Sequence, residues 1–194
     1  MARAMTQFIL VRPGSTDYDL QGRIQGDLDI PLNEQGNHEV ARAIDELKHQ
    51  GIKIIYTCEC AAARQTAEAL ATALGAKLKE LDNMRNLNHG LWQGMLIDEV
   101  KRRQPKVYRQ WQEQPECVRP PNGETVSEAR QRVAAALLKI SRKHKDEVVA
   151  IVAPEPLASM FRAELLHGEV GDLWRASQEH GSWELIDTAA ASAR

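Results

Sequence analysis

The chain has 194 residues, 43% of them hydrophobic and 27% charged, and a formal net charge of -2. This composition is typical of a globular protein large enough for a sizeable core, and the charge gives no electrostatic reason to expect nucleic acid or an acidic membrane as a partner. No run of 18 apolar residues is present and the first residues lack the apolar segment of a secretory signal, so we expect neither a membrane span nor export. Three cysteines, an odd number, argue against a disulfide framework and for a reducing compartment. Together these features predict a cytoplasmic protein.

Apolar runs that predict strands alternate with stretches of helical periodicity along the chain. The first half reads as a strand over Gln7–Val11, a polar loop over Asp17–Leu32, a helix capped by Asn33 and stopped by Gly51, a strand over Ile52–Thr57, a helix over Ala61–Leu74, and a short strand over Leu78–Leu81. The second half reads as a turn at Pro120–Gly123, a helix over Glu124–Lys143, a strand over Glu147–Ala153, a helix over Leu157–Leu166, and a last strand over Trp183–Asp187.

This alternation predicts an α/β fold, a three-layer α/β/α sandwich around a mostly parallel sheet. Residues 82–122 show no clean period, and we interpret them as a small, partly helical cap insertion. The cap interrupts what we expect to be a single domain over residues 1–194.

The first predicted strand ends in an unusual turn. The apolar run from Phe8 to Val11 stops at Arg12-Pro13-Gly14. Because ligands gather at the carboxyl ends of parallel strands, Arg12 is well placed to meet an anion. Pro13 beside it can neither donate a main-chain hydrogen bond nor act as acid, base or nucleophile. The strand that ends at Ala153 is followed in the same way by Pro154.

The order of the motifs resembles that of the histidine phosphatase superfamily, in its phosphoglycerate mutase-like branch. The resemblance runs from Phe8 to about Asp187. The first family motif, Arg-His-Gly, appears as Arg12-Pro13-Gly14, and the last, Ser-His-Gly-Gly, as Ala153-Pro154-Glu155-Pro156. The motifs between them are Gly22–Gly26, Asp29–Asn33 with Gly36, Ala62–Ala67, Met84–Asn86 with Gly90–Gly94, and Pro121–Thr125.

The resemblance implies a phosphoryl-transfer site made of a nucleophilic histidine, two arginines, a second histidine and a glutamic acid. Carried over position by position, the histidines fall on Pro13 and Pro154, the arginines on Arg12 and Ala62, and the acid on Asn86. Only Arg12 matches. Loss of the nucleophile alone costs on the order of 10⁶ in turnover when the catalytic groups act together. We therefore expect a degenerate member of the family that lacks most catalytic residues.

Other reactive side chains near these motifs are interpreted as structural. Arg64 lies two positions after Ala62, about 200° around a helix, so we expect it on the surface. Cys58 and Cys60 are placed to bind a metal or attack a phosphate, but small buried packing residues are the favoured interpretation. For His89 we favour a surface or capping role over one in the cleft. The aromatic residues Trp92, Trp111, Tyr108 and Trp183 are interpreted as core and cap packing.

Two arginines remain as candidate ligand-binding residues, Arg12 and Arg23. A buried guanidinium without its family anion would be costly, so Arg12 is expected within about 4 Å of a carboxylate. Glu155 is the expected partner because the two proline-bearing turns should be neighbours, and Asp19 is the alternative. Glu155 is also expected to crowd the pocket and make it more negative.

Three functions from different classes fit these features. The leading hypothesis is a catalytically inactive relative that acts by binding or regulation. The second is a phosphatase for a small phosphoester, with an altered mechanism that uses Arg12 with Cys58, His89 or Glu155. The third is a sensor of a small metabolite. The sequence predicts no metal and no cofactor, and it leaves open an unknown protein partner or small metabolite as well as a homodimer through an edge strand.

Overall fold

The computed structural model describes residues 6–176 and 179–186. Its centre is a sheet of five strands in the order β3-β2-β4-β1-β5, with β5 antiparallel to β1 and the other neighbours parallel. The α/β fold with a mostly parallel sheet is thus confirmed. The strands are β1 (Gln7–Val11), β2 (Ile54–Thr57), β3 (Lys77–Glu80), β4 (Val148–Val152) and β5 (Trp183–Ile186).

Burial explains why the central strands are continuous apolar runs. Residues 8–11 of β1 and 149–152 of β4 are buried, as expected for strands covered on both faces. Val11 and Val152 are partners in the register, so the carboxyl ends of β1 and β4 lie side by side as predicted. The edge strand β3 is mostly exposed and charged, which discourages pairing with a further strand.

Eight helices surround the sheet in the described part of the chain, and α2 packs against α3 while α6 packs against α7. They are α1 (Asp17–Leu20), α2 (Glu34–Leu47), α3 (Ala61–Leu74), α4 (Ile97–Arg103), α5 (Pro105–Glu113), α6 (Val126–Lys143), α7 (Leu157–Leu166) and α8 (Leu173–Ala176). Two 3₁₀ turns, Gly90–Trp92 and Pro115–Cys117, accompany them.

Most predicted boundaries agree with the structure. The bounds of α3 and α7 are as predicted, and Asn33 caps α2 by accepting a hydrogen bond from Gly36 N at 2.7 Å. Strand β2 begins two residues later than predicted, at Ile54, and α6 begins after its own N-cap, Thr125. The predicted end of the last strand, Asp187, lies outside the described residues.

Two short helices were not predicted. The segment expected to be a loop over Asp17–Leu32 begins with α1, in which Thr16 and Asp19 form a capping box. The other is α8, which starts at Leu173. Each has four residues, too few to show a helical period in the sequence.

A close backbone approach fixes the turn after β1. A Cβ atom added to Gly14 would lie 2.3 Å from Gly36 O, and one added to Gly36 would lie 2.2 Å from Ser15 O. Only glycine at both positions lets the start of α2 lie directly against this turn. The contact therefore holds the turn that carries Pro13 in one position.

Among the described residues, the structure contains no helix that is both long and apolar enough to cross a membrane. The location in the cytoplasm stays a prediction. So does the division of the chain into one domain with a cap over residues 82–122.

Candidate functional site

A cavity of about 370 Å³ lies at the carboxyl ends of β1 and β4. One wall consists of the turns that follow these strands, with Pro13 after β1 and both Pro154 and Pro156 after β4. Ala62, in the first turn of α3, lies on the same wall. The structure therefore brings together Pro13, Ala62 and Pro154, three of the four positions that the sequence analysis predicts to be degenerate.

The fourth of these positions, Asn86, does not line the cavity and instead forms hydrogen bonds that connect two loops. Its side chain is buried, and its Nδ2 donates hydrogen bonds to Gly26 O at 3.0 Å and to Glu155 O at 2.8 Å. Asn86 thus ties the loop over residues 22–26 to the turn after β4. An amide can make both bonds, whereas an ionised carboxylate only accepts hydrogen bonds and could make neither.

The guanidinium of Arg12 is held by three carboxylates. Its Nε lies 2.7 Å from Glu155 Oε1 and 3.3 Å from Glu179 Oε2, and its Nη1 lies 3.3 Å from Glu184 Oε1. Burial would lower the pKa of Arg12, but Glu155 first, and then Glu179 and Glu184, raise it above its ordinary value. The predicted contact with Glu155 is confirmed, whereas Asp19 is used in the capping box of α1.

Glu155 binds more than Arg12. Its Oε2 accepts hydrogen bonds from Ser159 N at 3.1 Å and from Ser159 Oγ at 2.7 Å, at the start of α7. Its side chain is only 4% exposed. Glu155 adds a carboxylate to the cavity wall, and this carboxylate faces Arg12 and the amino end of α7. The carboxylate makes the contacts that a bound anion would make.

Arg23 also lines the cavity. Its Nη1 donates to Gly94 O at 2.6 Å and its Nε donates to Gln21 Oε1 at 2.7 Å. Arg64 forms an ion pair with Asp29 at 2.9 Å, with 34% of its side chain exposed, in keeping with the predicted surface position. The assignment of Arg12 and Arg23 as ligand-binding residues stays a prediction.

The two cysteines near the site are packing residues, as favoured. Cys58 and Cys60 are 0% and 2% exposed. Burial, followed by the neighbouring Cys60, raises the pKa of the Cys58 thiol well above its ordinary value, and burial raises the pKa of Cys60 to about 11. Both thiols are therefore protonated at neutral pH and are poor nucleophiles.

The favoured surface position of His89 is wrong, and of the capping role only the N-cap position before the turn Gly90–Trp92 is present. His89 is 6% exposed, makes no side-chain capping bond, and lies on the cavity wall. Its Nδ1 is 3.0 Å from Leu87 O, an oxygen that can only accept, so we assign the proton to Nδ1 and the lone pair to Nε2. Burial lowers the pKa of His89 to about 4, against the opposing effects of Leu87 O and Asp27. The imidazole is therefore neutral at pH 7.

Aromatic rings extend the wall beyond His89. The His89 and Trp111 ring centroids are 5.4 Å apart, and those of Trp111 and Trp174 are 6.0 Å apart. Tyr108 stacks on Trp174 at 5.1 Å with an interplanar angle of 10°. The predicted packing role of Trp111 and Tyr108 is confirmed, and Trp111 also faces the cavity.

Sequence reasoning missed the four cavity residues that follow α7, which are Leu173, Trp174, Glu179 and His180. They follow α7 in a segment without periodicity that matches none of the family motifs quoted above. The one available signal was Trp174 itself, a large apolar side chain in an otherwise polar stretch. The side chain of His180 lies near another lining residue, since its Nε2 is 3.9 Å from Asp19 Oδ1.

Together these features define a class of protein: an α/β protein whose candidate site lies beyond the carboxyl ends of neighbouring parallel strands. The family model of the histidine phosphatase superfamily, branch 1, matches residues 8–194. The chain belongs to the histidine phosphatase superfamily.

Relatives agree with this assignment. Phosphoserine phosphatase 1 of Hydrogenobacter thermophilus is 29% identical over 183 residues, which cover 94% of this chain and 86% of the relative. Probable phosphoglycerate mutase GpmB of Serratia proteamaculans is 32% identical over 133 residues, covering 69% and 62%. The solved structure of Bacillus stearothermophilus YhfR matches with a TM-score of 0.81 and 26% identity, covering 94% of this chain and 91% of that one. The predicted family and its phosphoglycerate mutase-like neighbours are confirmed.

Proposed function

We propose that this protein is a binding member of the histidine phosphatase superfamily that does not transfer phosphoryl groups. The observation that carries the proposal is the pairing of the remaining family arginine, Arg12, with Glu155 at 2.7 Å beside two prolines at the strand ends. The cavity is retained, while the groups that would attack and hold a phosphate are replaced or engaged elsewhere.

Charge supports this proposal. Three acidic residues line the cavity: Asp19, Glu155 and Glu179. Two guanidinium groups oppose this negative charge, that of Arg23 in the lining and that of Arg12 in contact with Glu155. A phosphate dianion entering this cavity would meet a net negative wall in a region of reduced dielectric constant, which disfavours its binding. A neutral or cationic small molecule would meet no such barrier.

The alternative is a phosphatase with an altered mechanism. It is favoured by the name of a relative, phosphoserine phosphatase 1, and by the preserved cavity. Of the groups considered for such a mechanism, Cys58 is protonated and buried, and Glu155 is occupied by Arg12 and Ser159. His89 is therefore the remaining candidate for a catalytic group, because no described residue forms a hydrogen bond with its Nε2.

A hydrolysis assay separates the two functions. We would incubate the protein with p-nitrophenyl phosphate and with phosphoserine and measure released phosphate, alongside Arg12→Ala, His89→Asn and the surface control Arg64→Ala. The proposal predicts release at the level of buffer for all four proteins, and no gain from Pro13→His. Turnover above buffer that is lost in Arg12→Ala or His89→Asn but kept in Arg64→Ala would establish the phosphatase instead.

A further inference from the structure

Strand β3 lies at one edge of the sheet, where it pairs with β2 on one side and with no described strand on the other. Lys77 N and Leu81 N donate hydrogen bonds to oxygens of β2 and of the residue before it, both at 2.9 Å. In a ladder of parallel strands such residues alternate with residues whose main-chain groups point the other way. The N–H and C=O groups of Leu78 and Glu80 therefore point away from β2. No described residue forms a hydrogen bond with them on that side.

Three lysine side chains lie beside this open edge. Lys79 pairs in register with Tyr56, and Lys77 lies two positions earlier, so both lysines are on the sheet face that carries Tyr56. The end of α6 lies against the same face, since His144 Nε2 is 2.9 Å from Tyr56 Oη. A side-chain hydrogen bond with Lys143, the last residue of α6, and then the charges of Lys143 and Lys77 lower the pKa of Lys79. We call Lys77, Lys79 and Lys143 the lysine cluster.

The charge of the lysine cluster is not balanced within the described part of the chain. None of its three members forms an ion pair with a described carboxylate, although acidic residues outnumber basic ones in the sequence. Glu80 is on the opposite face of β3, and Glu147 Oε2 lies 2.6 Å from His144 Nδ1 instead. Like charges held close together repel each other, so carboxylates supplied by a partner would be favoured here.

We propose that the outer edge of β3 binds an extended, acidic segment of a partner protein as an additional strand. The main chain of the segment pairs with the free groups of Leu78 and Glu80, and acidic side chains at every second position meet the lysine cluster. Side chains two positions apart in a strand share a face and are about 6.6 Å apart, which matches the spacing of Lys77 and Lys79. The intervening side chains lie on the other face, beside Leu78, which is 38% exposed.

The lysine cluster also determines which strands do not bind. Two β3 strands from two copies of this chain would bring two lysine clusters together, and like charges across a strand pair are unfavourable. A neutral strand would gain no ion pairs, whereas an acidic strand replaces the repulsion by attraction. The cluster therefore selects for an acidic partner. This surface lies outside the cavity, so the inference goes beyond the proposed function and does not depend on it.

Amide hydrogen exchange, followed by NMR on the ¹⁵N-labelled protein, tests the inference at individual residues. In the free protein we expect fast exchange at Leu78 and Glu80 and slow exchange at Lys77 and Leu81, because only the second pair donates to the neighbouring strand. Addition of an acidic strand should slow exchange at Leu78 and Glu80. Binding to the lysines alone, without strand pairing, would leave both amides in fast exchange and would overturn the inference.

The probes differ by one feature at a time. The acidic strand is represented by the peptide Thr-Glu-Thr-Glu-Thr-Glu-Thr. A second peptide has Gln in place of each Glu, a third has the same composition with its Glu residues adjacent, and single-stranded oligodeoxythymidylate represents a polyanion that is not a protein. We would measure dissociation constants from chemical-shift titrations at low salt. We expect the alternating peptide to bind about tenfold more tightly than the Gln peptide and more tightly than the other two probes.

Variants assign the effects to residues. Lys79→Glu should weaken the alternating peptide about tenfold, whereas Lys106→Glu, which changes an exposed lysine on α5, is the matched control and should leave its binding unchanged. Leu78→Pro removes an outward N–H that β2 does not use, so it should weaken the peptide while Lys77 and Leu81 stay protected. If Leu78→Pro does not fold, the exchange at Leu78 and Glu80 in the unaltered protein still decides whether a strand is added.

Several results would overturn the inference. They are no binding of the alternating peptide, equal binding of the Gln peptide or of the peptide with adjacent Glu residues, and equal or tighter binding of the oligonucleotide. Slow exchange at Leu78 and Glu80 in the free protein that increases with protein concentration would also overturn it, because a second copy of the chain would then cover the edge. None of these outcomes depends on the hydrolysis assay, which tests the cavity alone.

Discussion

The neutral imidazole of His89 makes the stability of the protein depend on pH in a defined window. Burial lowers the pKa of His89 to about 4 in the folded chain, while the unfolded chain has a pKa near 6.5. Between pH 6.5 and pH 4, His89 binds a proton in the unfolded state but not in the folded state. Its contribution to the free energy of unfolding is therefore fully present above pH 6.5. It is lost as the pH falls towards 4.

Linkage gives the size of this effect. With these two pKa values, the free energy of unfolding falls by about 2 kcal/mol between pH 7 and pH 5 because of His89 alone. With a urea m-value of about 2 kcal/mol per M, the unfolding midpoint moves down by about 1 M. We would measure urea unfolding at several pH values for the unaltered protein and for His89→Gln.

Comparison of the two proteins cancels the other titrating groups. The stability of His89→Gln should fall less steeply between pH 7 and 5, so that the difference between the proteins shrinks by about 2 kcal/mol. His49→Gln, which removes an exposed histidine, is the matched control and should keep the full slope. A constant difference between the unaltered protein and His89→Gln across this range would refute the idea that the imidazole is buried and neutral.

Three further predictions test other parts of the structure. Glu155→Gln should lower the free energy of unfolding by about 1–3 kcal/mol, because it leaves a buried guanidinium with weaker partners. Gly36→Ala should cost at least about 2 kcal/mol in urea unfolding, because the new methyl group meets backbone. Gly168→Ala, where nothing lies within 4 Å, should change stability by less than about 0.5 kcal/mol. In the native protein, Ellman's reagent should modify the exposed Cys117 rapidly but not Cys58, and unfolding should expose all three thiols.

Each of these has an outcome that would contradict it. Asp45→Asn breaks an exposed ion pair and should be nearly neutral; a cost equal to that of Glu155→Gln would mean that the Arg12 contact contributes no more than a surface pair. Equal costs for the two glycine variants would contradict the close approach at Gly36. Rapid modification of a second thiol in the native protein would place Cys58 or Cys60 at the surface.

The sheet was predictable because its strands are buried on both faces. The runs Phe8–Val11 and Val149–Val152 have to be apolar throughout, and that signal is visible without a structure. The contact between Arg12 and Glu155 was predictable for a similar reason, since neighbouring parallel strands bring the ends of both turns together. The order of the strands along the chain and their parallel pairing were sufficient to predict both the sheet and this contact.

The cap side of the site was not predictable in the same way. The place of His89 depends on packing against Trp111, which follows it by 22 positions in sequence and has no shared period with it. Trp174 enters the wall from a four-residue helix, and its role follows from tertiary contact with Tyr108 and Trp111. Contacts of this kind leave no periodic pattern in the sequence.

The contacts of Glu155 also have a consequence for the access of free anions to Arg12 and Ser159. Because this carboxylate is part of the chain, it faces Arg12 and Ser159 at an effective concentration that does not change with the cell's composition. A free anion would have to displace this carboxylate from both partners before it could bind to them. Under the proposed binding function, Pro13→His or Pro154→His alone would therefore give no phosphoryl transfer while Glu155 makes these contacts. Under that proposal, replacement of Glu155 would have to come first, and it would by itself be destabilising because it leaves the buried guanidinium of Arg12 with fewer partners.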